Sequence, residues 1–245
     1  MATLPNHITD LSERVYLDRG NVWATIPNLP PLVNYPAGTE MFRQDADPAG
    51  VFLLESGLVK LEHLNEDGRV NIFGIRFPGW VLGMLSMLAN LPYPVSAVAA
   101  TRLSSRYLSG RHFYSLLESN PHLTLQLSKL LGRELRDQYC KSADSNSGSS
   151  QRRLEQILQL LMQFGETRGV GNERRWLPPL KHHEIAEAIA ITPEHLSRLF
   201  KKMEQGGLLR RDKGWIIQPV TRTPTCSHRD SSFRPASTAK SQPLN

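Results

Sequence analysis

Cysteine is nearly absent from this chain of 245 residues: Cys140 and Cys226 are the only two. Two thiols cannot build a disulfide scaffold, and they fall short of the four that hold a usual iron–sulfur cluster. A reducing, cytoplasmic setting is the expectation. Long apolar runs are missing too. No stretch approaches the roughly 18 apolar residues a membrane span needs, and "MATLPNHITDLSERV" has no basic start followed by an apolar segment. Neither a membrane span nor a secretion signal is expected. Catalytic signatures are also lacking. There is no glycine-rich phosphate loop, no His/Asp/Glu cluster at metal-ligand spacing and no nucleophile elbow, which argues against an enzyme.

What is present is an ordinary globular balance, 40% hydrophobic and 21% charged, with an uneven charge. Residues 1–148 hold 13 Lys and Arg against 14 Asp and Glu, a net of −1, whereas residues 149–245 hold 16 against 9, a net of +7. The last 25 residues supply +3 of that, leaving +4 on residues 149–220. A neutral front and a basic back suggest that the back half meets a polyanion such as nucleic acid.

From Leu32 to about Leu108 the chain reads as short strands rich in Val, Ile, Leu and Phe, punctuated by "PAG", "SG", "NEDG" and "FPG". Asp67-Gly68 between two such runs is a hairpin signal, and many closely spaced strands predict a sandwich or barrel. Asn120-Pro121 then starts a helix of roughly 20 residues. Its apolar stripe is Leu123, Leu127, Leu130, Leu131, Leu135 and Tyr139, and it faces either its own domain or a second copy. The polar run Ser142–Ser150 reads as a hinge or linker. A further stripe, Leu154, Ile157, Leu158, Leu161 and Phe164, predicts another helix, and "GETRGVGNERR" reads as a loop. From Thr221 to Asn245 the composition predicts disorder.

Two short helices are expected at about Lys181–Ile189 and Pro193–Gln205, followed by two strands around Asp212-Lys213-Gly214. In the second helix Thr192 is the N-cap, Pro193 the first residue, and Glu194 sits in the first turn, where the dipole favours an acid. Leu196, Leu199, Phe200 and Met203 form one face; Glu194, Ser197 and Arg198, continued by Lys201, form another. Paired short helices with a strand pair behind them are the winged helix-turn-helix layout, whose second helix enters the DNA major groove. There Arg198 could bind guanine O6 and N7, Glu194 cytosine N4, and Ser197 a base or phosphate. Lys181, His182, His183 and Lys201 would lie near phosphates.

From about Leu32 to Pro219 the sequence resembles the CRP/FNR family of bacterial transcription regulators. "YPAGTEMFRQDADPAGVFLLESGLVKL", "NEDGR", "FPG" and "VSA" match its sensor pattern, and "HHEIAEAIAITPEHLSRLFKKMEQGGLL" its DNA-binding pattern. The resemblance implies an α+β fold: a β-roll sensor (a cyclic-nucleotide-binding-like jelly roll), a long dimerisation helix and a winged helix-turn-helix. The corresponding ranges are 1–118, 119–148 and 149–220, with the tail at 221–245. It also implies a cytoplasmic homodimer joined through the 121–141 helix, double-stranded DNA as partner, and contact with RNA polymerase as activator or repressor. Glu194, then Ser197-Arg198, matches the FNR branch and its TTGAT-like half-sites. CRP-like helices carry an arginine before the Glu and a glycine for the Ser; here those positions hold Pro193 and Ser197.

Three departures qualify the resemblance. Cyclic-AMP-binding members carry Gly-Glu and, about ten residues on, Arg-Ser-Ala. Here Gly83 is followed by Met84, and Val95 precedes Ser96-Ala97. A buried phosphate with no cation would lose its charge-assisted bonds, so cyclic AMP is not expected in the pocket marked by Gly83, Met84, Val95, Ser96 and Ala97. With no cysteine before Cys140, an FNR-type cluster is not expected either. Lastly, Ala190 stands where the family usually has glycine in the helix-turn-helix turn. No cofactor is predicted. Trp80, Val81, Leu82, Met84, Leu85, Met87, Leu88 and Leu91 read as core, with an apolar effector or haem as the sharper alternative. His7, His63, His112 and His122 are the front-half histidines available to haem, though no spacing favours any of them, and Cys140 reads as an inert thiol. The competing class is a ligand-binding or interaction module with weak DNA binding.

Overall fold

The computed structural model describes residues 29–143, 147–170 and 173–219. The tail 221–245 and His7 lie outside the described residues, as does the side chain of Cys140. Eight strands come first: β1 (Val33–Tyr35), β2 (Glu40–Phe42), β3 (Gly50–Ser56), β4 (Val59–Leu64), β5 (Val70–Arg76), β6 (Val81–Leu82), β7 (Ser96–Ala99) and β8 (Leu103–Ser109). They form two antiparallel four-stranded sheets, β1-β8-β3-β6 and β2-β7-β4-β5. Alternating residues turn inward, so Leu54, Val59, Leu61, Ala97 and Leu103 meet between the sheets. The Asp67-Gly68 turn forms as expected, with β4 and β5 paired from Val59 opposite Arg76 to Leu64 opposite Val70.

Three helices follow the strand pattern: α1 (Met84–Ala89) between β6 and β7, then α2 (Gly110–Ser119) and α3 (Pro121–Ala143). Asn120 caps α3, its Oδ1 accepting from Leu123 N at 3.0 Å, with Pro121 at the first position. The single stripe expected on α3 divides. Leu123, Leu127 and Leu130 are buried with Val51, Leu108 and Phe113 of the same chain. Leu135 and Tyr139 instead face outward, 54% and 67% exposed, and Leu125 joins them. Leu85 and Leu88, expected in the core, are also exposed, because α1 has only one inward face and Met84 and Met87 occupy it; Leu91, past the end of α1, is exposed as well.

The back half holds α4 (Ser147–Leu161), β9 (Glu166–Val170), β10 (Glu173–Leu177), α5 (His182–Ala188), α6 (Pro193–Gln205), β11 (Arg210–Asp212) and β12 (Trp215–Pro219). Two local expectations need correction. Ser142–Ser150 is not a continuous linker: α3 runs to Ala143 and α4 begins at Ser147. Ser150 is buried, and its Oγ accepts from Arg153 at 3.1 Å, while Leu154, Leu158 and Leu161 bury the face that holds α4 down. Nor is "GETRGVGNERR" a loop. It is the β9–β10 hairpin, and with the last two strands it makes the sheet β11-β12-β10-β9. Trp176, fully buried on β10, is the apolar anchor that fixes this pairing.

Candidate nucleic-acid interface

Helix α6 begins as its sequence dictates. Thr192 Oγ1 accepts from His195 N at 3.2 Å, and Pro193 occupies the first turn. Leu196, Leu199, Phe200 and Met203 are buried against α4, α5 and the sheet. Burial of each such side chain is worth about 1.5–3 kcal/mol, enough to hold the helix at a fixed rotation. That rotation turns Glu194, Ser197, Arg198 and Lys201 outward together, all exposed on one face. The Glu194 carboxyl is held below the ordinary value by hydrogen bonds from its own backbone amide and from Thr192, with Arg198 adding attraction. It is therefore an acceptor at neutral pH. Ser197 Oγ donates to the Pro193 carbonyl at 3.0 Å, which leaves its lone pairs facing outward as acceptors.

The preceding helix starts beside this face. Lys181, His182 and His183 are all exposed at its mouth, and the Lys181 amide donates to Glu184 Oε2 at 2.7 Å, which fixes the first turn. Although its surface is largely open, partial desolvation of the ring, aided by Arg211 and His183, holds the His182 imidazole below its ordinary pKa, which favours the neutral form at pH 7. Its Nε2 lies 3.5 Å from Ser197 Oγ, which brings the two helix mouths together. In the turn, Ala190 adopts φ 55°, the left-handed conformation usually left to glycine. Ile191 N reaches back to the Ala186 carbonyl at 3.0 Å, so the usual turn geometry is kept despite the side chain.

One part of the interface was not foreseen. Arg211 on β11 closes on Glu204 of α6 with Nε at 3.0 Å and Nη2 at 3.2 Å, and its guanidinium sits 4.7 Å over the Phe200 ring. The wing is thereby fastened to the recognition helix. The pair straddles a tight turn, and no periodicity reveals it. At the tip, Lys213 and Gly214 both have positive φ, 47° and 87°, the primed turn suited to a two-residue hairpin.

The five sensor residues singled out in the sequence do not form one polar site. Met84 belongs to the apolar cluster beneath α1–α3, whereas Val95 and Ala97 belong to the cluster between the sheets. Ser96 is half-buried, with its Oγ accepting from Gln44 N at 2.9 Å. Gly83, at φ 80°, faces the Tyr93 ring; a Cβ there would lie 3.1 Å from Tyr93 Cε1 and 3.2 Å from the Gly50 carbonyl oxygen. Tyr93 stacks on Phe42 at 4.0 Å and donates its hydroxyl to that same Gly50 oxygen at 3.2 Å. Methionine and valine buried in apolar clusters do not fit a phosphate. His63, His112 and His122 stand on β4, α2 and α3, and His63 Nδ1 is engaged with Asn65 at 3.0 Å. Among the described residues no three His, Cys, Asp or Glu converge to hold a metal ion, and no helix is long and apolar enough to cross a membrane.

A two-sheet roll, a long helix and a winged helix-turn-helix with an outward polar face define a class: a DNA-binding regulator with a sensor-type domain. Residues 32–120 match the cyclic nucleotide-binding domain and residues 153–220 the Crp-like helix-turn-helix domain. The transcriptional activator protein anr of Pseudomonas aeruginosa is 30% identical over 173 residues, 70% of each chain. The CRP-like cAMP-activated global transcriptional regulator of Mycobacterium tuberculosis is 26% identical over 179 residues, 73% of this chain and 79% of that one. The solved structure of FixK2 from Bradyrhizobium japonicum has the same fold, with a TM-score of 0.61 and 19% identity, covering 80% of this chain and 94% of its own. The chain belongs to the CRP/FNR family of transcriptional regulators. It is a DNA-binding regulator and not an enzyme.

Proposed function

We propose that this regulator acts in the cytoplasm as a homodimer that reads a TTGAT-like palindrome. The observation that carries this reading is the shared outward face of Glu194, Ser197 and Arg198 on a helix locked by four buried side chains. In the major groove Arg198 takes guanine O6 and N7, Glu194 accepts from cytosine N4, and Ser197 accepts from an exocyclic amine. Lys181, His183 and Lys201 meet phosphates; His182, neutral, contributes a hydrogen bond rather than a charge. A dimer is supported by α3, where Leu125, Ser128, Gly132, Leu135 and Tyr139 are all exposed at alternating steps of three and four, a coiled-coil seam. RNA polymerase is the expected protein partner. The working parts are the sensor at 1–118, the dimer helix at 119–148 and the reader at 149–220, with the tail at 221–245 beyond them.

The sensor in this reading uses neither cyclic AMP nor an FNR-type cluster. Met84 and Val95 stand where a carboxylate and a guanidinium would be needed, and Tyr93 crowds Gly83. Fluorescence anisotropy with the full-length protein tests the function. At fixed salt, a TTGAT palindrome should bind at least about 10³-fold more tightly than a scrambled duplex of equal length. Equal affinity for both would contradict the reading.

A further inference from the structure

The face of α5 turned away from Lys181 and His183 is not free. Glu184 is only 8% exposed, and its Oε1 lies 2.9 Å from Lys60 Nζ on β4 of the sensor. The same ammonium is held by Glu62 at 2.8 Å. One turn on, Glu187 Oε2 accepts from the Ile72 amide of β5 at 2.6 Å. Strand β5 is the edge of its sheet, so this carboxylate covers a backbone donor that no neighbouring strand can take. Around these bonds Leu58, Ile72, Ile75 and Phe77 of the sensor share one buried cluster with Leu154, Ile185 and Ile189 of the reader. The other end of β5 is tied to α3: Arg76 pairs with Glu134, and its guanidinium lies 4.4 Å over Trp80. A single hairpin thus grips both the first reader helix and the helix that carries the dimer seam.

We infer that Lys60, Glu184 and Glu187 are specificity-determining residues for half-site spacing: the β4–β5 hairpin clamps the reader against the dimer helix and so sets the distance between the two recognition helices. This rests on the dimeric reading of a palindrome. None of the three residues needs to touch DNA. Glu194, Ser197 and Arg198 decide which bases each half-site holds, and the clamp decides how far apart the half-sites stand. Inserting or deleting one central base pair moves one half-site by about 3.4 Å and about a tenth of a turn, which a reader gripped by α5 and β5 cannot follow.

The test compares wild-type protein with the Lys60→Met/Glu187→Ala variant, both full length, on three palindromes of identical half-sites whose centres differ by one base pair. Wild type should lose about tenfold or more in affinity on the longer and shorter sites, the size of a typical one-position defect. The variant should compress that loss to within about threefold while keeping the same half-site base preference. Should the double variant fail to fold, Glu187→Leu, which keeps most of the bulk and removes the acceptor for the Ile72 amide, is read in its place and should compress the loss in the same direction. An unchanged spacing penalty with half-site preference intact overturns the clamp alone. Absence of any preference for the palindrome in wild type overturns the dimeric reading and the clamp with it.

Discussion

In the proposed reading of DNA by α6, Arg198 is the side chain that carries most of the base specificity. Its planar guanidinium can donate two parallel N–H bonds to one guanine, a geometry lysine cannot copy. Arg198→Ala is expected to cost about 1–3 kcal/mol in specific binding and to relax preference at one base pair per half-site. Anisotropy against duplexes altered at each position checks both. A uniform loss across all positions would assign Arg198 to phosphate instead. Ala190 poses a different residue-scale question, because its side chain sits at a φ of 55°. Ala190→Gly is expected to stabilise the fold by about 1 kcal/mol, since a left-handed conformation carries a Cβ penalty of that order. Urea unfolding should give a higher midpoint at an unchanged slope. The family pattern marked the position of Ala190, but only the structure shows that the turn keeps its left-handed φ there rather than rewinding. The role of Glu184 and Glu187 was not legible in the sequence: the partners Lys60 and Ile72 lie more than 100 residues away, and "HHEIAEAIA" displayed only its apolar positions.

Elements were legible where a local signal decided them. The capped start of α3, the Thr192-Pro193 start of α6 and the Asp-Lys-Gly wing turn each carry their own instruction. The β9–β10 hairpin does not, because its strands are rich in Arg and Glu and only Trp176 pulls them inward against β12. Helix α3 misled in another way. Periodicity shows that a helix has an apolar face; it does not show that part of that face is buried in its own domain while Leu125, Leu135 and Tyr139 stay exposed. Its outward side gives a direct prediction: Leu125→Asp with Leu135→Asp should shift the protein towards monomer in sedimentation velocity, because charges at coiled-coil core positions are desolvated without partners. A dimer of undiminished stability would place the seam elsewhere. The α5–β4 contact adds a pH dependence. Burial works to raise the Glu184 pKa, but the hydrogen bonds from Lys181 and Lys60 outweigh it and hold the carboxyl below its ordinary value. For a depressed carboxylate the stabilisation is present above the unfolded value of about 4.3 and is lost as pH falls through the folded value. The urea midpoint of Glu184→Gln should therefore fall less steeply than that of wild type below about pH 4.3.

At the scale of the whole molecule, the front half is a roll whose charges of both signs nearly cancel, and the back half carries a basic excess beside the outward face of α6. The sequence made that asymmetry visible through its charge, −1 before residue 149 and +7 after it. It did not show that Tyr93 and Phe42 stack beside Gly83, or that the sensor and reader share a buried cluster through β5. Both are products of long-range packing between segments with no common period. If two copies of α6 read a palindrome through Glu194, Ser197 and Arg198, selection of binding sites from randomised duplexes by the full-length protein should recover inverted repeats with TTGAT-like half-sites about one helical turn apart. Recovery of no recurring half-site, or of unpaired half-sites only, would contradict that reading.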